Sequence, residues 1–270
     1  MDVPLPVRPG LVGPVISLLE RETIRFLRQR SRVFGALGQP VLFWLLLGSG
    51  FGASFSPPGA PQGTTYLTWF FPGIIVLVLL FTAIFSTISI IEDRSTGFLQ
   101  AVLVAPIPRL SIVLGKLLGG TILATGQGML LLVAAPLMGL PLSLRSILLT
   151  LGALAGTAFA LTGIGFCIAW RMESTQGFHM IMNVFLMPMW LLSGAFFPLE
   201  GAPSWLRFIM EVNPLTYGVA AVRRALSAGA TSLPLSVPPL WVSLAVTGLF
   251  SLIVLLTSVA LVYSSRRLPQ

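Results

Sequence analysis

Lys116, His179, Cys167 and Asn183 are among the polar or titratable side chains that stand inside or beside long apolar runs, where chemistry would be most telling. None belongs to a catalytic set. Gly115-Lys116 is followed by Leu117 and lacks the glycine spacing of a phosphate-binding loop. Intramembrane proteolysis needs a nucleophile with a base, or paired acids, and neither is present at depth. His179 is the only histidine, with no cysteine or carboxylate at ligand spacing, so it reads as an interfacial polar residue and not as a metal ligand. Cys167 is the only cysteine, which excludes an internal disulfide. Asn183 is an amide that can hydrogen-bond across helices.

The elements that would carry these residues follow from composition. Of 270 residues, 55% are hydrophobic and 9% charged. A soluble domain carries roughly 25% charged residues to wet its surface, so the apolar residues here must face lipid. The net charge of +8 lies in short clusters between apolar stretches, the pattern of membrane loops and not of a nucleic-acid-binding patch. Crossing a hydrocarbon core of ~30 Å takes about 20 apolar residues. Six stretches qualify: Val33–Gly52, Trp69–Ile91, Ile112–Met138, Ile147–Trp170, Phe178–Pro198 and Leu240–Tyr263. The fifth is interrupted by Pro188 and Gly194, which spanning helices tolerate. Lys116 and His179 are the only Asp, Glu, Lys, Arg or His within these limits, both near an end, where Lys116 is expected to snorkel to the interface. A transporter without buried ionisable groups must draw its energy from elsewhere.

Six crossings put both termini on one side. Taking that side as cytoplasmic gives it Arg8, Arg21, Arg25, Arg28, Arg30, Arg32, Arg94, Arg109, Lys116, Arg171, Arg266 and Arg267, twelve cations against Arg145, Arg207, Arg223 and Arg224 outside. The positive-inside rule selects that orientation. The first ten residues, with Asp2 and three prolines, do not read as a cleaved leader.

Three segments lie outside the spans. Residues 11–32 predict an amphipathic helix, with Val12, Ile16, Leu19, Thr23 and Leu27 on one face and Arg21, Arg25, Arg28 and Arg32 on another. Such a helix is expected to lie flat among anionic headgroups. Residues 56–63 read as a Pro- and Gly-rich outer turn. Between the second and third spans, Ser95 or Thr96 can cap a short helix whose Phe98, Leu99, Val102 and Leu103 recur at helical spacing, and Pro106 and Pro108 stop it. On physics alone this apolar face suits a partner's groove, the bilayer or the chain's own helices equally.

The stretch from Glu92 to Lys116, with Glu92-Asp93-Arg94, Thr96-Gly97, Pro106-Ile-Pro-Arg109 and Gly115-Lys116, resembles the type-2 family of ATP-binding-cassette (ABC) exporter permeases. So does Ser193-Gly194-Ala-Phe-Phe-Pro198, followed by Asn213-Pro214-Leu-Thr-Tyr217 and Arg223. The sequence departs from the pattern at Gln100, where many members carry an acid, and in the order Thr96-Gly97. The resemblance covers nearly the whole chain.

It implies an all-α membrane protein, residues 1–270 forming one type-2 ABC transmembrane domain. The domain would have an interfacial helix over 11–32, a coupling region over 92–111, and short outer re-entrant helices in a lid over 199–239. The coupling segment would dock on a separate ABC ATPase subunit that binds ATP and Mg, with no cofactor on this chain. Glu92, Arg94, Thr96, Gly97, Phe98, Leu99, Gln100, Val102, Leu103 and Arg109 would make that site. Leu99, Val102 and Leu103 would supply the buried contact, and Glu92, Asp93 and Arg94 its polar rim. A second permease copy or homologue would complete the translocation path, lined by the second and fifth spans at Phe81, Phe85, Asn183, Phe185, Met187 and Met189. Asn213, Pro214, Thr216, Tyr217 and Arg223 would belong to the lid, where a structural role precedes a substrate-facing one. The implied activity is export of a drug, lipid or glycolipid across the inner membrane of a prokaryote, with polysaccharide or lipo-oligosaccharide as the alternative cargo. Membrane lipids are partners and nucleic acid is not. An intramembrane enzyme or an assembly factor would be the other classes.

Overall fold

The structure, a computed structural model, describes residues 10–52, 64–140, 142–199, 201–227 and 237–264. The 56–63 turn and Arg8, Arg266 and Arg267 of the charge count lie outside them. Ten α-helices are described: α1 (Val12–Arg28), α2 (Arg30–Phe51), α3 (Tyr66–Ser95), α4 (Phe98–Val104), α5 (Arg109–Leu131), α6 (Leu144–Ala169), α7 (Thr175–Trp190), α8 (Ser204–Val212), α9 (Pro214–Leu226) and α10 (Leu240–Ser264). Six of them, α2, α3, α5, α6, α7 and α10, are long and apolar enough to cross a membrane.

Local chemistry sets the boundaries. Thr65 accepts from the Thr68 amide at the start of α3, and Ser174 does the same for Gly177 at the start of α7. Ser143 and Ser146 form a reciprocal capping box on α6. Pro188 does not end α7. The helix passes through it and widens into a π-turn over Leu191–Ala195, which closes where Gly194 adopts φ +73°, a conformation that disfavours any Cβ.

The centre of the bundle is α3. Nearly every residue from Trp69 to Ile91 is buried, because α2, α5, α6, α7 and α9 surround it. In water such a helix would be a core element; here it shields its own backbone from lipid on every side. Small residues bring the neighbours close. A Cβ on Gly73 would lie 2.9 Å from the Ala195 backbone, and one on Gly163 would lie 2.3 Å from the Val254 side chain. Gly115 and Gly119, four residues apart, admit α1 closely, and Leu18 and Glu22 fill the space. Gly152 and Gly156 have the same spacing but no such neighbour: among the described residues nothing lies within 4 Å of a Cβ on Gly152, and Gly156 has only an ordinary contact with Thr247.

The N-terminal amphipathic segment forms α1 and stops at Gln29, so Arg32 belongs to α2. Leu18, Glu22 and Phe26 are buried and α1 packs along α5, while Val12, Ile16 and Leu27 stay exposed. The arginine stripe is therefore not left to lipid headgroups as expected: Arg21, Arg25 and Arg32 all meet carboxylates of α3, and Arg28 alone of the four remains exposed.

At the α3 N-terminal end of the bundle, α8 lies on the surface and α9 is buried against α6, α10 and α3. Asn213 ends one and caps the other: its Oδ1 accepts from the Leu215 amide at 3.0 Å, and its Nδ2 donates to the Met189 carbonyl at 2.6 Å. Pro214 sits at the first turn of α9, where no amide hydrogen is required.

The packing separates the glycines sharply. Gly73→Ala should lower stability by about 1–3 kcal/mol, because the Ala195 backbone cannot yield as a side chain does. Gly152→Ala should be neutral or stabilising by up to about 1 kcal/mol from helix propensity. Thermal unfolding of both variants in detergent micelles measures the difference.

Candidate functional site

The residues between the second and third spans fold as expected into a helix off the end of α3, but its details differ. Ser95 and Thr96 do not cap it: both hydroxyls donate back to the Glu92 carbonyl and so finish α3. The turn into α4 is made by Gly97, at φ +78°. α4 runs seven residues, about two turns, and Ala105, Pro106 and Pro108 lead into α5.

Its faces are also redistributed. Leu99 is 4% exposed and packs into the bundle core, with Leu103 partly buried beside it. Leu99 has almost no surface to offer a partner, and Leu103 only part of its own. The open face consists of Thr96, Gly97, Gln100, Ala101 and Val104, the last 84% exposed. Val102 lines a shallow apolar groove of about 400 Å³ between α4 and α1, with Leu18, Ala101, Ala105 and Ile107. Phe98 is half-buried under the Arg21 guanidinium, whose carbon lies 3.7 Å from the ring centroid.

Glu92, Asp93 and Arg94 turn inward as well, which corrects their reading as an outer rim. Asp93, 1% exposed, accepts from Arg21 at 2.7 and 3.1 Å, from Arg25 at 2.7 Å, and from Lys116. Glu92 accepts from Arg25 at 2.5 Å and from Arg32. Lys116 does not snorkel. It is 7% exposed and its ammonium also donates to Glu22 at 2.6 Å and Ser89 at 3.1 Å. Seven charged groups thus join α1, α2, α3 and α5. Burial alone would lower the Arg21 pKa, but its bonds to Asp93 and Glu22 raise it above the usual value. Position in sequence gave no sign of this network.

Arg94 and Arg109 are bound to carbonyls. Arg94 donates through Nη1 to Met172 O at 2.6 Å and through Nη2 to Trp170 O, at the end of α6. Arg109 donates to Val262 O at 2.5 Å and faces the Tyr263 ring, at the end of α10. Neither guanidinium is presented outward alone.

The expected path residues are divided. Phe81 is 7% exposed and stacks on Phe85 inside the bundle, while Phe85 meets His179 edge-on at 6.0 Å. Met187 and Met189 are partly buried against the core. Asn183 and Phe185 are exposed on α7, beside Met180 and Val184. One chain therefore shows an open face on α7 and almost none on α3.

At the other end, Thr216 donates to Met210 O at 2.6 Å and Tyr217 to Glu211 O at 3.0 Å, local bonds that hold the α8–α9 corner. Arg223 is 6% exposed, sits 3.9 Å over the Trp69 ring, and donates to Trp69 O and Gly194 O. It satisfies the carbonyl freed where the π-turn breaks.

Replacing Lys116 with Met should destabilise the chain by about 3 kcal/mol or more, because Asp93 and Glu22 would stay buried with a cation removed. Unfolding of Lys116→Met beside Lys116→Arg, which keeps the charge and should lose less, provides the comparison.

Comparison with known proteins places this architecture. The family model described as ABC-2 type transporter matches residues 14–227. A chain named as a transport permease, ycf38, of Cyanophora paradoxa is 29% identical over 219 residues, covering 78% of this chain and 73% of its own length. Nodulation protein J of Sinorhizobium fredii is 27% identical, covering 73% and 74%. The daunorubicin resistance ABC transporter permease protein DrrB1 of Streptomyces coeruleorubidus is 24% identical, covering 81% and 76%. With six apolar helices in place and a family match over most of its length, this multi-pass membrane protein belongs to the ABC-2 type transporter family as a permease.

Proposed function

We propose that the chain is one half of a dimeric exporter, driven by a separate ABC ATPase that docks on α4. The carrying observation is the open face of Thr96, Gly97, Gln100, Ala101 and Val104 on a short helix that is itself braced against α3 and α1. A lone apolar residue on an otherwise small, uncharged face fits a shallow protein cleft better than bulk water does. ATP and Mg belong to that partner, and this chain supplies no catalytic group.

The second copy, or a homologue, would meet the exposed stripe of α7. Asn183 lies there within an apolar setting, where an amide gains by bonding across helices. The path would then run beside α7, with Phe185 and Met187 in reach and with Phe81 and Phe85 supporting it from behind. Asn213, Pro214, Tyr217 and Arg223 hold the outer lid in shape. Cargo is hydrophobic or amphipathic: a drug, lipid or glycolipid. The names of the relatives favour this class, since one concerns daunorubicin resistance. A polysaccharide or lipo-oligosaccharide is the second reading, which the resemblance to type-2 ABC exporter permeases carries. The orientation that fits is the one with α4 and both termini on the cytoplasmic side of a prokaryotic inner membrane, with the exposed stripe of α1 (Val12, Ile16, Leu27) in the headgroup layer.

Val104→Asp should abolish co-purification with the ATPase subunit and leave membrane insertion and thermal stability unchanged. Leu99→Asp should instead lower stability, because it puts a carboxylate into the core. Equal ATPase recovery with Val104→Asp and the parent chain would refute the docking face. Phe185→Cys, in a Cys167→Ser background, should cross-link between two copies in native membranes under mild oxidation.

A further inference from the structure

A push on α4 moves the bundle only through whatever ties α4 to it. The covalent link to α3 passes through Gly97 at φ +78°, whose amide donates to Arg94 O at 3.2 Å and whose carbonyl accepts from the Ala101 amide, while Gln100 Nε2 also donates to Arg94 O, so α4 moves with the last turn of α3. Three guanidinium groups lie around that joint and carry its contacts onward. Arg21 lies over Phe98 and bonds to Asp93, which binds the start of α4 to α1 and α3. Arg109 bonds to Val262 O, which binds the start of α5 to the end of α10. Arg94, in the last turn of α3, reaches Trp170 O and Met172 O, and Thr175 opens α7 only a few residues later.

These ties are not equivalent. Arg21 shares Asp93 with Arg25 and Lys116, so its role in the charge network is duplicated. Arg109 ends on α10. Arg94 alone of the three leads to the turn before α7, the helix whose Met180, Asn183 and Val184 form an open stripe. Farther along, α7 is pinned to α3 by Trp190, whose indole donates to Gly73 O at 2.8 Å. A helix pinned at its far end and gripped just before its near end must tilt when the grip moves.

We propose that Arg94 is the positioning residue that carries displacement of α4 to α7. Its planar fork holds two carbonyls of one turn, so the end of α3 and the entrance of α7 travel as one body. This rests on the reading that an ATPase docks on α4. A cation that merely neutralised the α6 C-terminus could be a lysine, since the helix dipole requires only charge nearby. A rigid two-point grip requires the guanidinium plane.

The test uses the chain with Cys167→Ser and Val184→Cys, labelled with an environment-sensitive fluorophore and assembled in nanodiscs with the ATPase subunit that co-purifies with it. In the parent, ATP plus vanadate should shift the emission at position 184. Arg94→Lys should keep the parent's co-elution with the ATPase and lower the thermal midpoint by no more than about a few degrees. It should reduce the nucleotide-dependent shift about tenfold, the scale of losing one charge-assisted bond. Arg94→Ala should reduce the shift at least as much; if it fails to fold, the lysine variant still decides. A parent-sized shift with Arg94→Lys, or no shift at position 184 in the parent complex, would overturn the proposal. So would a lysine variant as unstable as the alanine one, because Arg94 would then be a structural cap. Failure of the parent to co-elute with any ATPase would instead sink the docking reading, and this inference with it, since Arg94 makes no bond that governs association.

Discussion

The buried ammonium of Lys116 is the constraint around which the charged end of the bundle is built. A buried ammonium is costly without partners, and here it has two carboxylates and a hydroxyl. The carboxylates bring their own obligations. Asp93 recruits Arg21 and Arg25, and Glu92 recruits Arg25 and Arg32. Each group added satisfies one charge and anchors another helix. The result is that α1, amphipathic and external by composition, becomes a fixed part of the domain. Gly115 and Gly119 make this possible, since side chains there would hold α1 away from α5 and separate Glu22 from Lys116.

The two ends of the bundle solve their polar problems differently. At the α4 end, charge meets charge. At the α8–α9 end, Arg223 meets carbonyls and an aromatic face, with no carboxylate bonded to it among the described residues. The π-turn at Leu191–Ala195 is the cause, because a helix that widens and then stops at Gly194 leaves a carbonyl unpaired inside the protein. A guanidinium is the donor best able to reach two such oxygens at once. Asn213 does related work nearby, closing α8, opening α9 and holding Met189 O.

Between these ends α3 is enclosed on all sides and α7 on one. This asymmetry matters for a permease. A helix packed all round transmits force, and a helix with an open stripe can meet a second copy or a substrate. α4 stands at the junction: it leaves the end of the enclosed helix, presents small residues and Val104 outward, and buries Leu99 as its own anchor. Two aliphatic residues five positions apart therefore serve opposite purposes, according to which side of a two-turn helix each occupies.

By itself the sequence determined the membrane class, the six spans, the amphipathic helix and the short helix after α3, since these depend on local hydropathy and periodicity. The observed spans begin within about three residues of the apolar stretches, because apolar length and capping residues are both written along the chain. Its motifs also indicated the family. Tertiary structure alone decided which polar residues meet. Lys116 looked interfacial because sequence position gives depth along one helix, not the neighbours around it. Leu99 and Val102 differ in burial although both belong to the expected apolar face, because only packing chooses how that face turns inward. Glu92 and Arg94 are two positions apart in the chain and serve different helices, the first binding α1 and α2 and the second binding α6. Helical geometry sends side chains two positions apart to directions about 200° apart, so what each one finds is settled by the elements that pack there.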